Sequence, residues 1–193
     1  MRFENQLGIA TTAFVLSLSA MAQGAQQSPN QGQLVAANAV LETAIDASTA
    51  KAGDLVTAKL TSTIQDPGGP VLKRNTLLLG HIDQVQPTAN HGVSTVVLTF
   101  DKAQPKGAQA IAIKSTIVGF CSSGSYPVPL DLNPEMKVQQ SPDSAHSYSL
   151  TSDVRSTNSG VLKADGKNVR VQNGTQFQFA VAPVATGSNA NGN

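Results

Sequence analysis

VLKRNTLLLGHIDQVQ, residues 71–86, sets a Lys73-Arg74 pair against the run Leu77-Leu78-Leu79 and places a glycine and a histidine just beyond it. Leu77, Leu79 and His81 alternate with Leu78, Gly80 and Ile82, which is the two-residue period of a strand rather than the 3.6-residue period of a helix. Both faces are largely apolar. This predicts a central strand covered on both sides, with Asn75 in the preceding turn and Lys73 and Arg74 keeping that turn in water. A glycine inside a strand, here Gly80, predicts a bulge, a sharp bend at a barrel corner, or close approach of another backbone. The stretch reads as architecture rather than as a basic binding motif.

The same alternation recurs on either side of it. Residues 40–45 form a first candidate strand. In residues 55–64, LVTAKLTSTI, the side chains of Val56, Ala58, Leu60 and Ile64 share one face and Thr57, Lys59, Thr61 and Thr63 the other. Asp66-Pro67-Gly68-Gly69 then supplies a turn, because proline presets one φ value and glycine accepts a positive one. Strands are expected over residues 77–85, 93–101 and 108–113, separated by QPTANHG and QPKGAQ. In residues 161–184 the dipeptides Asp165-Gly166 and Asn173-Gly174 suit tight hairpin turns, and Phe177, Phe179 and Val181 alternate with Gln176, Gln178 and Ala180. Three short strands follow from that pattern. The fold class is therefore all-β, a small antiparallel barrel or sandwich, with the C-terminal hairpins completing the sheet that residues 34–117 begin.

Residues 121–160 break the pattern. They carry Pro127, Pro129, Pro134 and Pro142 among many serines, hold neither period for long, and read as a long, poorly ordered Pro/Ser-rich insertion.

The 193 residues suit one domain, over residues 34–183. Aromatics are 4% and there is no Trp, so the core must be built from Val, Leu, Ile and Ala with Phe as its largest member. The net charge of +1 supplies no field to attract a phosphate backbone or an anionic membrane, which argues against nucleic acid as a partner. Arg2, the apolar-leaning residues 7–18 and Ala20-Met21-Ala22 have the order of a secretory signal peptide over residues 1–22. Thr11, Thr12, Ser17 and Ser19 dilute that run below what a membrane span needs, so no transmembrane anchor is expected in the mature chain. Residues 23–33 and 184–193 have the composition of a flexible linker and a tail. Cys121 is the only cysteine, which rules out an intrachain disulfide. Export with one cysteine points to a periplasmic or extracellular bacterial protein held together by packing.

Residues 41–64, LETAIDASTAKAGDLVTAKLTSTI, followed by VLKRNTLLLGHIDQVQ and GVSTVVLTFDKA, resemble a pattern of exported bacterial β-proteins. Their order is a Gly-Asp turn, a strand, Leu-x-Gly-x-Ile and a strand ending Phe-Asp. Over residues 40–114 it is similar to the C-terminal domain of TrbI-like type IV secretion channel proteins. Lys73-Arg74-Asn75-Thr76 stands where that family has a Pro-x-Gly-Ser or Pro-x-Gly-Thr turn, so only Thr76 matches there. The resemblance implies a β fold and, by extension, a place in a secretion assembly.

No motif for chemistry accompanies the fold signals. His81, His91 and His146 fall in a strand, a turn and the insertion, with no HExxH and no CxxC, so neither a metal nor a cofactor site is expected. Gly119-Phe120-Cys121-Ser122-Ser123-Gly124 lacks the strand-to-helix setting of a nucleophile elbow. Cys121 with His146 as its base is the one nucleophilic pairing that can be nominated, for a small hydrolase. Asp46, Asp54, Asp83, Asp101, Asp131 and Glu135 are too scattered to suggest paired acid–base work. The expectation is a non-enzymatic structural or binding module of the cell envelope without catalytic, cofactor or metal residues. Its partner would be an envelope protein or a polysaccharide, met through the insertion or through an exposed sheet edge able to accept a strand.

Overall fold

The computed structural model describes residues 33–65, 70–121 and 132–183, with Cys121 and Pro183 described as backbone only. The predicted leader, most of the linker, the Asp66–Gly69 turn, the prolines at 127 and 129 and the tail lie outside the described residues. Within them every regular element is a strand. In chain order these are β1 (Val35–Leu41), β2 (Ile45–Asp46), β3 (Leu55–Leu60), β4 (Ile64–Gln65), β5 (Val71–Leu72), β6 (Leu77–Gln86), β7 (Val93–Gln104), β8 (Ile111–Cys121), β9 (Lys137–Gln140), β10 (Ser149–Asp153), β11 (Gly160–Asp165), β12 (Arg170–Val171) and β13 (Gln176–Pro183).

The main sheet runs β6-β3-β1-β13-β8-β7 and closes on itself because β7 also pairs with β6. The result is a six-stranded antiparallel barrel. Each strand turns its apolar positions inward: Val56, Ala58 and Leu60 from β3, Val96, Leu98 and Phe100 from β7, and Phe177, Phe179 and Val181 from β13 are all buried. A ring this small has no room for a lumen, and side chains fill it. Phe100 meets Phe179 edge-on at 5.2 Å between ring centres, and Phe177 meets Phe179 at 6.1 Å. Two short two-stranded ribbons cover the ends. β2 with β12 closes the end where β1 finishes, through Ile45, Val169 and Val171; β4 with β5 closes the opposite end through Ile64 and Leu72.

β6 takes the position that its sequence predicts, with one correction. Leu78, Gly80 and Ile82 face the core, but Leu77, Leu79 and His81 are only half-buried, since nothing described packs over the outer face of this part of the barrel. The strand is covered on one side, as a barrel wall is. Asn75 holds a φ of 67° in the turn before it, a left-handed conformation that asparagine tolerates, while Lys73 and Arg74 are exposed. Gly80 has two of its predicted uses together. The register against β7 shifts between Leu79 and Gly80, leaving Asp101 as an extra residue on β7, and a Cβ at Gly80 would stand 2.2 Å from the Thr99 carbonyl oxygen. A second shift leaves Asp83 unpaired on β6. Such bulges add twist and bend, which closing so narrow a sheet requires.

The first strand lies earlier than its alternation suggested, at Val35–Leu41, and the expected 108–113 strand is instead the eleven-residue β8, which reaches Cys121. The reading of residues 121–160 as structureless is corrected over residues 132–160, where β9, β10 and the start of β11 form. With β11 they make a side sheet, β11-β10-β9, attached to the barrel through β7.

The attachment explains the side sheet's composition. β7 and β8 pair only at Lys102↔Ala112 and Ala103↔Ile111; farther along, β11 takes the edge of β7 and β8 is left without a strand on that side. Side chains and loop backbone stand in for the missing strand. The Phe100 N–H donates to Ser159 Oγ (2.8 Å), Ser115 Oγ donates to the Phe100 carbonyl (2.7 Å), and the two hydroxyls are 3.0 Å apart. With those two ends fixed, the Ser159 hydroxyl must donate to Ser115, which closes a ring of three bonds. Farther along, Ile117 N–H donates to the Ser159 carbonyl and Ser152 Oγ donates to the Ile117 carbonyl (2.6 Å). At the last position the Gln140 amide accepts from Phe120 N–H and donates to its carbonyl. Buried backbone groups need partners, and here polar side chains of the insertion supply them.

Candidate functional site

Among the described side chains, the sequence-nominated groups are not brought together into a reactive centre. His81 sits on the outer wall with Nε2 2.9 Å from Asp83 Oδ1, and Thr99 Oγ1 donates to Asp83 Oδ2 at 2.5 Å. In that order the hydroxyl bonds to the carboxylate and not to the imidazole, so the imidazole is not placed to take its proton. His91 lies in the β6–β7 turn at a φ of 59°. His146 is buried, with Nδ1 2.9 Å from Asp143 Oδ1, its ring 4.4 Å from that of Phe120 and 5.6 Å from that of Tyr148. The Cys121 side chain, its nominated nucleophile, lies outside the described residues, as do Ser122, Ser123 and Gly124. Among the described residues no group of three His, Cys, Asp or Glu side chains converges to hold a metal ion.

Two electrostatic effects mark the end of the barrel around Phe120. Burial would raise the Asp143 carboxyl, but the N–H groups of His146 and Ala145 and the imidazole together outweigh it and hold the group below the ordinary 3.8. The Tyr148 hydroxyl is buried without a hydrogen bond of ordinary geometry. Burial pushes its pKa above 10.0, the Thr175 hydroxyl opposes that only in part, and the Asp143 charge adds to it. This cluster is packing with polar members.

Two concavities lie on the described surface. The first, ≈ 370 Å³, lies beside β2 and the start of β3 and holds Asp46 and Asp54. Both carboxylates are already engaged. Asp46 accepts from the Ser48 N–H and hydroxyl and pairs with Arg170 Nε at 3.0 Å, and the Ser48 bonds above all hold it below 3.8; Asp54 accepts from Lys51 N–H.

The second, ≈ 430 Å³, lies on the outer face of the side sheet. Alternation along β9 and β10 sends Val138, Leu150 and Ser152 toward the barrel and Lys137, Gln139, Thr151 and Asp153 outward. The turn after β10 brings Ser156 and Asn158 to the side of the concavity; Val161, opposite Thr151 on the same face, contributes apolar lining. Lys137 Nζ and Asp153 Oδ2 are 3.6 Å apart, and Arg155 pairs with Glu135 nearby. The side chains of Gln139, Thr151, Ser156 and Asn158 gather at this concavity with no hydrogen-bond partner among the described residues.

Among the described residues, this surface adjoins a backbone edge with no strand paired to it. Val154 N–H donates to the Met136 carbonyl, so Met136, and by alternation Val138 and Gln140, direct their backbone groups at β10. Lys137 and Gln139 direct theirs away, at the end of the sheet order. Sequence reasoning missed these residues because it placed the whole segment in an unstructured insertion; the only signal was the brief alternation in KVQQ and SLTSD. No protein-family model matches the chain, and no curated protein matches it.

Proposed function

We propose that this protein is a non-enzymatic binding module of the bacterial cell envelope, exported by its N-terminal leader and meeting its partner through the β9 side of the side sheet. One observation carries the reading. Four amide and hydroxyl side chains converge on one concavity without partners, beside a strand edge whose outward N–H and C=O groups have no strand paired to them among the described residues. The barrel then serves as a rigid scaffold whose filled interior leaves binding to its exterior.

The test is photo-crosslinking in intact cells, with the reactive residue at Gln139 and, as control, at exposed Lys114 on β8. The expected result is a discrete adduct in the envelope fraction from position 139 only. Equal labelling at both positions, or a chain that never leaves the cytoplasm, would overturn the reading. Recovery of a ring-sized assembly would favour a component of a TrbI-like secretion apparatus instead.

A further inference from the structure

The chemistry of the side-sheet concavity names a class of ligand, on the premise that this surface is the binding surface. We infer that it takes a neutral saccharide. The four unpartnered side chains are two primary amides, Gln139 and Asn158, and two hydroxyls, Thr151 and Ser156. Each of these groups both donates and accepts hydrogen bonds, and so does every sugar hydroxyl. An ionised ligand would instead be matched by a charge of opposite sign.

The concavity offers no such charge. Lys137 is taken up by Asp153 at 3.6 Å, and Arg155 by Glu135, so each positive group near the rim is balanced by a negative one. A phosphate or carboxylate approaching Lys137 would meet the Asp153 carboxylate with it, and an ammonium group would meet Lys137. Val161, half-buried and directly opposite Thr151 on the outer face, gives an aliphatic surface against which the C–H face of a sugar ring can rest. The volume, ≈ 430 Å³, falls within the ~300–1,000 Å³ of small-ligand sites. The wall stands on two paired strands, with Lys137↔Asp153 and Gln139↔Thr151 directly opposite, so the polar groups are held at fixed spacing before any ligand arrives.

The test is a titration of the full chain followed by amide resonances, including the side-chain NH₂ signals of Gln139 and Asn158. Probes are neutral oligosaccharides of glucose, mannose, galactose and N-acetylglucosamine, an oligogalacturonate as the anionic arm, and an extended Val/Thr-alternating hexapeptide as the strand arm. Saturable shifts confined to residues 137–140, 151–153 and 156–161 with a neutral oligosaccharide are expected. Gln139→Ala, Asn158→Ala and Thr151→Val should each weaken that binding roughly 3- to 10-fold, the loss of about one hydrogen bond, while Lys114→Ala leaves it unchanged. Binding of the anionic oligomer alone would overturn the neutral-ligand inference. Binding of the hexapeptide alone, or no shift with any saccharide while the position-139 crosslink persists, would also overturn it and leave the binding-module reading standing. Loss of the crosslink as well would remove both.

Discussion

The Gln140 side-chain amide spans the backbone of Phe120, with Oε1 3.0 Å from its nitrogen and Nε2 3.1 Å from its carbonyl oxygen. One side chain thus does what a neighbouring strand residue does in a ladder, on the side of β8 away from β13, where no strand pairs with it. Gln140→Leu would leave both Phe120 groups unpaired and is expected to cost about 1–3 kcal/mol, several degrees in Tm. Gln140→Glu keeps the acceptor but sets a carboxylate oxygen against a carbonyl, and should also melt below wild type at pH 7. Unchanged melting of the Leu variant would show that the amide does not bridge Phe120.

The three glycines nearest this seam and the β6 bulge should rank by what a methyl group meets. At Gly80 it meets the Thr99 backbone oxygen at 2.2 Å, at Gly160 the Leu150 and Ile117 side-chain ends at 3.1–3.4 Å, and at Gly119 amide oxygens at 3.7–3.9 Å. Backbone cannot yield as a side-chain tip can. Alanine at Gly80 is expected to cost about 3 kcal/mol or more, at Gly160 about 1 kcal/mol, and at Gly119 nearly nothing. Denaturant midpoints for the three variants check the order, and a tolerant Gly80 would mean that β6 and β7 do not approach so closely.

Ser115 and Ser159 share a hydrogen-bond ring through Phe100, so their substitutions should not add. Each single alanine variant is expected to lose about 1–3 kcal/mol, and the double variant less than the sum by at least about 0.5 kcal/mol. A double-mutant cycle from equilibrium unfolding measures this directly. Strict additivity would separate the two hydroxyls.

Asp143 is held below its ordinary pKa in the folded chain, so its contribution to stability is present above pH 3.8 and is lost as pH falls through the lower folded value. Asp143→Asn should therefore flatten the decline of stability on acidification below about pH 4. Unfolding midpoints from pH 7 down to pH 2 for both proteins would show it, and parallel curves would refute the assignment.

Tyr148 has the opposite sign. Its pKa is raised in the folded state, so the contribution is full below pH 10.0 and is lost as pH climbs beyond that toward the folded value. Tyr148→Phe removes a buried hydroxyl that lacks a good partner and is expected to leave stability unchanged or raise it by about 1 kcal/mol at pH 7. It should also reduce unfolding above pH 10. A large loss of stability at neutral pH would reveal a hydrogen bond from the hydroxyl to Thr175.

The sequence by itself determined the strands that have a clean inside and outside. Val56, Ala58 and Leu60, or Phe177, Phe179 and Val181, alternate because a pleated strand sends successive side chains to opposite faces, and the Asn-Gly and Asp-Gly dipeptides between them mark where the backbone must reverse. Only the tertiary structure decided which strands are neighbours, that the sheet closes as a barrel through β6 and β7, and that residues 132–160 fold at all. Alternation specifies a face, but it does not specify a partner. In β9 and β10 the inward positions include Gln140 and Ser152, polar side chains that look misplaced along the chain and make sense only against the unpaired edge of β8. The outward residues Gln139 and Thr151, with Asn158 from the turn that follows, become a surface only once those inward anchors have fixed the side sheet to the barrel.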